Sequence, residues 1–198
     1  MRNNNPSAWP YRVVVALLAL IATGIATYMG LYQWHIIDHV WDPLFGHGTE
    51  KVLISDVSHQ ITRWIRLPDA IFGALAYLGD IIFALAGSSR RWYDRPWLVI
   101  LFGLDVIPVG CVAVILVVLQ GVAVGYWCFL CLITALFSLS MVFFAYSEVL
   151  ASLIYLKEIW KKTKDTKAVW KAFWGTPVKH SLNAAEQTME KMYVAKDL

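Results

Sequence analysis

Four long apolar stretches constrain the fold of this 198-residue chain more than any other feature. A transmembrane helix needs about 20 consecutive, mostly apolar residues. Because a backbone inside a bilayer must satisfy its hydrogen bonds within its own helix, we predict an all-α integral membrane protein folded as a four-helix bundle. The predicted spans are residues 13–34, 67–86, 97–119 and a last one that starts near 122 and continues to about 156.

The charged residues are few and unevenly placed. They make up 16% of the chain, against about a quarter in soluble domains. Most of the lysines and arginines lie near residues 2–12, 90–95 and 157–171. The positive-inside rule therefore places both termini in the cytoplasm and the longer loop, residues 35–66, outside the inner (plasma) membrane. Membrane orientation accounts for these basic residues, so we predict no nucleic-acid binding.

The C-terminal part differs from the rest. We divide the chain into a four-span domain, residues 1–156, and a basic, amphipathic cytoplasmic tail, residues 157–198. The tail mixes lysines with aromatic residues such as Trp170 and Trp174. That pattern suits a helix lying on an anionic membrane surface. An equally good explanation is that the lysines are the usual positive charges that follow a last membrane span and that the rest of the tail is solvated. The last twenty residues are expected to form a short polar helix or a loose end.

A Cys-x-x-Cys pair lies near the outer end of the predicted fourth span, in the stretch GYWCFLCLI. On a helix, Cys128 and Cys131 occupy one face about one turn apart, and they can form a local disulfide that exchanges readily. At 1.5 Å per residue, the pair is expected about 9–14 Å below the outer edge of the span. One interpretation is a redox pair that meets a lipid-soluble electron carrier. The other is two buried small apolar residues.

Three motifs, in their order and spacing, resemble the vitamin K epoxide reductase family of four-helix membrane thiol oxidoreductases over about residues 13–150. They are WCFLC at the start of the fourth helix, LPDAIFGALAY at the start of the second, and the partly structured outer loop WDPLFGHGTEKVLISDVS, in which Ser55 matches a family serine. The resemblance implies a bacterial-type enzyme that couples its cysteine pair to a quinone of the ubiquinone or menaquinone type. Disulfides would then be made on the outer side of the membrane.

The resemblance also implies roles for individual residues. Cys131 would face the quinone and attack it or form an adduct, and Cys128 would exchange with a second thiol pair. Asp69 stands where relatives carry a residue that hydrogen-bonds a quinone carbonyl, and its protonated carboxyl would donate the same bond. The remaining wall of the quinone pocket would be Phe72, Gly73 and Tyr77.

The chain departs from the family pattern in its outer loop. The family usually has two loop cysteines that pass electrons between a soluble partner and the inner pair, and those positions are Trp41 and Thr49 here. A family tyrosine one turn after the second cysteine is Ala135. We therefore expect a thioredoxin-like periplasmic protein or a small thiol to exchange directly with Cys128, with the lipid bilayer and the quinone as the other partners. The alternative is a non-catalytic membrane subunit or quinone-binding scaffold.

Three other polar groups within the predicted spans have less specific interpretations. Cys111, at a depth close to that of Cys131, is either an accessory redox partner or a buried small residue. Asp80 and Asp105 lie at similar depths toward the inner side. Because acids inside a bilayer are usually paired, we expect the two either to share a proton on a path to the quinone or to join their helices by a hydrogen bond.

Four histidines, His35, His39, His47 and His59, fall on the outer side. His35 and His39 are four residues apart and would share a helix face, with two aspartates nearby. This set permits a zinc or copper site. Histidines on a hydrated loop surface are the commoner explanation, and we predict no metal.

Overall fold

The computed structural model describes residues 5–194, and in that range it contains helices and loops but no β-strand. The predicted all-α class is therefore confirmed. The helices are α1 (Trp9–Gln33), α2 (Gly48–Leu53), α3 (Asp56–Ile65), α4 (Asp69–Leu85), α5 (Arg91–Asp94), α6 (Pro96–Leu119), α7 (Phe129–Thr163), α8 (Thr166–Phe173) and α9 (Ser181–Val194). A π-helical turn, Gln120–Val124, follows α6 directly.

Three helical segments in the described part of the chain are long and apolar enough to cross a membrane: α1, α6 with its π-helical turn, and α7. They support a multi-pass membrane protein. The predicted second span corresponds to α4, which has 17 residues. Its length of about 25 Å is slightly less than the hydrocarbon thickness of about 30 Å, so α4 is not among the three.

The helices α1, α4, α6 and α7 pack around one apolar core. Helix α1 contacts α4 and α7, and α6 contacts the same two helices. Alanines on α1 and α4 allow these two helices to approach closely, as small residues do between membrane helices. The buried alanines of this contact are Ala16, Ala19, Ala22, Ala26, Ala74 and Ala84.

Helix α7 begins seven residues later than the predicted fourth span. Gly125 has φ +73°, a left-handed conformation that glycine adopts without steric cost, and it ends the π-helical turn. Residues 125–128 are not helical, and Cys128 caps α7. The predicted depth of 9–14 Å within a helix is therefore wrong, because the cysteine pair occupies the cap and first turn of α7.

The loop between α1 and α4, which we call the outer loop after its predicted side, folds back over this end of the helices. It contains α2 and α3, and its residues Val40, Val52 and Leu53 are buried against Met29 and Leu130. The loop therefore forms a packed layer above the cysteine pair.

At the opposite end, α7 extends beyond the apolar layer. Its 35 residues span about 52 Å, and helices α8 and α9 pack on its C-terminal part. Lys191 of α9 contacts Glu158 of α7 at 2.5 Å. The tail is thus helical and folded onto α7 in the described range. The predicted boundary at residue 156 falls inside α7, and a separate cytoplasmic tail remains a prediction.

A buried ion pair joins α5 to α7 at this end. The Arg91 guanidinium donates to both carboxylate oxygens of Glu148, at 2.6 and 2.7 Å, and both side chains are almost completely buried. The hydroxyl of Ser7 also donates to Glu148. Arg91 further donates to the main-chain carbonyl of Ala86. Because its hydrogen bonds are satisfied from several elements, this pair ties the N-terminal segment, α4, α5 and α7 together.

Candidate redox site and apolar cavity

Cys128 and Cys131 form a disulfide at the N-terminus of α7, with their Cα atoms 5.2 Å apart. The main-chain N–H of Cys131 donates to Cys128 Sγ at 3.1 Å. Cys128 is completely buried, whereas Cys131 lines a cavity. The disulfide therefore has one sulfur enclosed by protein and the other at the cavity wall.

A largely apolar cavity of about 450 Å³ lies between α1, α4, α6 and α7. This volume is within the usual range for small-molecule sites. Its wall includes Cys131 together with all four residues that the resemblance assigns to quinone binding, namely Asp69, Phe72, Gly73 and Tyr77. The fold thus brings one sulfur of the disulfide and the start of α4 to the same space.

Asp69, the first residue of α4, is held by two neighbouring helices. Its Oδ1 accepts hydrogen bonds from the Gln33 side-chain amide and from the Ser58 hydroxyl, the latter at 3.0 Å. Gln33 also accepts from the N–H of Ala70 at 3.2 Å. The carboxyl group is therefore oriented by the end of α1 and by α3 before any ligand arrives.

Ser55 does not bond Asp69 itself but supports the helix that does. Its hydroxyl caps α3 by accepting from the N–H of Ser58 at 3.4 Å, and it is not part of the cavity wall. Ser58, which the sequence did not single out, is the serine that reaches Asp69. Ser55 therefore positions the helix that carries Ser58.

The outer loop packs against the N-terminus of α7, where Val40, Val52 and Leu53 share a buried apolar cluster with Cys128. Two further loop residues contact Phe129. The Thr49 hydroxyl accepts from the N–H of Phe129 at 3.2 Å and donates to Asp42 at 2.6 Å. The Trp41 ring packs edge-to-face on the Phe129 ring, with centroids 5.9 Å apart. Both loop positions at which the resemblance expects cysteines thus contact the residue that follows Cys128.

Asp42 anchors this cover. Burial alone would raise its pKa, but hydrogen bonds from the Thr49 hydroxyl and from the N–H groups of Phe45, Thr49 and Leu44 lower the pKa of Asp42 below its ordinary value. The carboxylate is therefore ionised at neutral pH. Its hydrogen bonds fix the turn that precedes α2.

Gln120 is a site residue that the sequence did not indicate. Its side chain is buried and lines the cavity, and its Oε1 accepts from the N–H of Cys128 at 3.1 Å. The sequence feature that could have pointed to Gln120 is its position, since it is a polar amide residue at the end of an apolar span, eight residues before Cys128. Thr134, beside the Ala135 at which the resemblance expects a tyrosine, also lines the cavity.

Asp80 and Asp105, the two acids of the predicted spans, have different surroundings. Asp105 lines the cavity and lies against Gly79, where a Cβ atom would come within 2.6 Å of its carboxylate. Asp80 is completely buried, and within residues 5–194 its carboxyl oxygens have no hydrogen-bond partner. The expected interhelix hydrogen bond to Asp80 is therefore wrong. Tyr77, one turn earlier on α4, shares a hydrogen bond of 2.8 Å with Ser138.

Cys111 lies apart from this site. It is a free cysteine whose side chain is exposed on α6, and it does not contribute to the cavity wall. The interpretation of Cys111 as a buried small residue is therefore wrong.

The histidines of the outer loop are not arranged as predicted. Helix α1 ends at Gln33, and His35 has φ +57°, so His35 and His39 do not share a helix face. Instead, His39 and His47 both contact the carboxylate of Glu50.

The fold and this site define a multi-pass membrane protein that carries a disulfide at the wall of an apolar cavity. The family model described as the vitamin K epoxide reductase family matches residues 13–146, more than half of the chain. The chain therefore belongs to this family, which is generally one of quinone-linked membrane oxidoreductases. No curated protein and no solved structure gives a significant match.

Proposed function

We propose that this protein is a four-span membrane thiol oxidoreductase whose Cys128–Cys131 pair cycles between disulfide and dithiol, coupled to a quinone. The observation that carries the proposal is the placement of Cys131 in the same cavity wall as Asp69. In this proposal α4 also crosses the membrane, as the second of four spans in chain order. Both termini lie in the cytoplasm of a bacterial cell, and the cysteine pair lies near the outer face.

The cavity residues fit a quinone. Its volume of about 450 Å³ and apolar wall suit a substituted ring with the start of a lipid tail. Asp69 would hold a ring oxygen, since α1 and α3 orient its carboxyl, while Phe72 and Gly73 would contact the ring. A bound quinone supplies an acceptor for the two electrons and two protons released when the dithiol becomes a disulfide.

The outer half of the reaction is thiol–disulfide exchange. A thiolate of the substrate attacks Cys128 Sγ, the bond between Cys128 and Cys131 breaks, and Cys131 leaves as a thiolate at the cavity wall. A second substrate thiolate then attacks the mixed disulfide and releases Cys128. The substrate gains one disulfide and loses two electrons, which now reside in the Cys128–Cys131 dithiol.

Cys128 is the expected point of attack because Cys131 faces the cavity. Cys128 is, however, completely buried in a cluster with the loop residues Val40, Val52 and Leu53. Exchange with a thioredoxin-like protein or a small thiol therefore requires the outer loop to open. The loop acts as a gate in a chain whose outer loop has no cysteine of its own.

A trapping experiment tests the exchange step. In a Cys111→Ser background, which removes the exposed thiol, a Cys131→Ser variant is expected to accumulate a mixed disulfide through Cys128 in intact cells. The matched control is the variant with serine at all three positions, which should give no adduct. Absence of any adduct with the single thiol Cys128 would contradict direct exchange.

The second candidate function is a quinone-binding scaffold without turnover. The full burial of Cys128 beneath a loop without cysteines favours it. In that case the disulfide is structural, and the pair keeps one redox state in membranes with and without added quinone.

A further inference from the structure

Three side chains of the outer loop converge outside the cavity site. The Nδ1 atoms of His39 and His47 lie 2.5 and 2.9 Å from the two carboxylate oxygens of Glu50. One ligand atom from each residue lies within 4.8 Å of the others. Both imidazoles are largely exposed, at 67% and 74%, whereas the Glu50 side chain is only 14% exposed.

We propose that His39, His47 and Glu50 bind a divalent transition-metal ion of the zinc class. Two imidazole nitrogens and a carboxylate are ordinary zinc ligands, and three protein ligands leave a fourth position for water. All three ligands belong to the outer loop, and none of them lines the cavity or touches the cysteine pair.

The carboxylate is already oriented for this role. The N–H of Val40 donates to Glu50 Oε1 at 3.1 Å, a type of second contact that fixes metal-binding carboxylates. Tetrahedral zinc separates its nitrogen and oxygen ligands by about 3.3 Å, slightly more than the present contacts. The two exposed histidine rings are free to move outward by that amount while Glu50 stays in place.

The ion would tie together the two parts of the loop that cover Cys128. His39 precedes Trp41 by two residues, and His47 and Glu50 flank Thr49. Trp41 and Thr49 are the residues that contact Phe129. A bound ion would therefore hold the cover closed. This second half of the inference rests on the proposed need for the loop to open before Cys128 can exchange.

Binding is tested with zinc on the full-length, oxidised protein in detergent after a chelator wash. Equilibrium dialysis with metal analysis is expected to give one zinc ion per chain. His39→Asn and His47→Asn should each lose this binding, whereas His59→Asn, which alters an exposed outer histidine outside the cluster, should retain it. No zinc on the wild-type chain, or equal binding by His47→Asn, would overturn the site.

The closing effect is tested by the rate at which a phosphine reductant opens the Cys128–Cys131 disulfide. If zinc binds only the closed loop, the open fraction falls by the factor 1 + [Zn]/Kd, about 100-fold at 100 times Kd. The wild type and His59→Asn should be slowed accordingly, and His47→Asn should not respond. Equal rates with and without bound zinc would overturn the closing effect. The assay contains no quinone, so its outcome is independent of oxidoreductase activity.

Discussion

Replacement of Thr49 by valine tests whether the outer loop gates the disulfide. Valine has nearly the same shape as threonine but lacks the hydroxyl that donates to Asp42 at 2.6 Å and accepts from the N–H of Phe129 at 3.2 Å. A hydrogen bond to a charged group contributes about 1.5–3 kcal/mol, and the part-buried N–H of Phe129 also loses its protein partner. We therefore expect the closed loop to lose about 2 kcal/mol relative to the open loop.

That loss corresponds to an increase of about 30-fold in the open fraction. The assay is the rate at which a phosphine reductant reduces the disulfide, in a Cys111→Ser background. Thr49→Ser is the control, because it keeps the hydroxyl, and its rate should stay close to that of the wild type. If Thr49→Val is reduced no faster than Thr49→Ser, the loop does not control access to Cys128.

Three further predictions concern the cavity, the outer loop and the buried ion pair between α5 and α7. Asp69→Ala should raise the KM for quinone by about tenfold, the equivalent of one hydrogen bond of about 1.4 kcal/mol. The pKa of Asp42 is lowered in the folded loop from its ordinary value of 3.8, so the ionised carboxylate stabilises the closed loop above that value. This stabilisation is lost as the pH falls through the lower pKa of the folded loop. The rate of disulfide reduction in the wild type should therefore approach that of Asp42→Asn below about pH 4. Glu148→Ala leaves Arg91 as an uncompensated buried charge and should lower the free energy of unfolding by about 3–5 kcal/mol, measured by denaturation in detergent.

Each of these predictions has a matched comparison. Asp69→Asn keeps a polar group able to donate to the quinone and should retain most of the affinity; an unchanged KM in Asp69→Ala would remove Asp69 from the binding site. A constant rate ratio between wild type and Asp42→Asn across pH 3–7 would refute the role of the Asp42 charge. Asp94→Ala breaks only the exposed contact with Arg90, 3.7 Å long, and should cost less than about 1 kcal/mol. An equally small effect of Glu148→Ala would contradict the importance of the buried pair.

The sequence predicted the long helices closely because the length of an apolar run is a strong constraint. The predicted spans 13–34 and 97–119 correspond to α1 (Trp9–Gln33) and α6 (Pro96–Leu119). The start of α7 was missed because Val122–Trp127 is as apolar as the helix that follows. Hydropathy does not report the backbone conformation of Gly125, whose positive φ separates the π-helical turn from the cap at Cys128.

The candidate site was predicted in part. The motif at the start of the second helix indicated Asp69, Phe72, Gly73 and Tyr77, and all four line the cavity beside Cys131. Their roles in quinone binding remain predictions.

The supporting residues were not predicted. Gln33 reaches Asp69 where α1 packs on α4, and Ser58 reaches it because the outer loop returns over the end of α1. Gln120 reaches Cys128 only through the π-helical turn. Such contacts depend on tertiary structure and have no local pattern in the sequence.

The outer histidines show the same limit. A spacing of four residues favoured His35 with His39, but the helix ends before either residue. The fold of the loop instead brings His39 next to His47 and Glu50, which lie at the start of α2.

The most direct test of the central proposal is stoichiometric oxidation of the dithiol by quinone. The protein, in a Cys111→Ser background, is reduced, freed of reductant and reconstituted in lipid, and quinone is added without oxygen. We predict one quinol formed per Cys128–Cys131 disulfide regained, by absorbance and by thiol alkylation, and no quinol in a Cys131→Ser variant. A dithiol that stays reduced in the presence of excess quinone would contradict the oxidoreductase and leave the quinone-binding scaffold as the function of this chain.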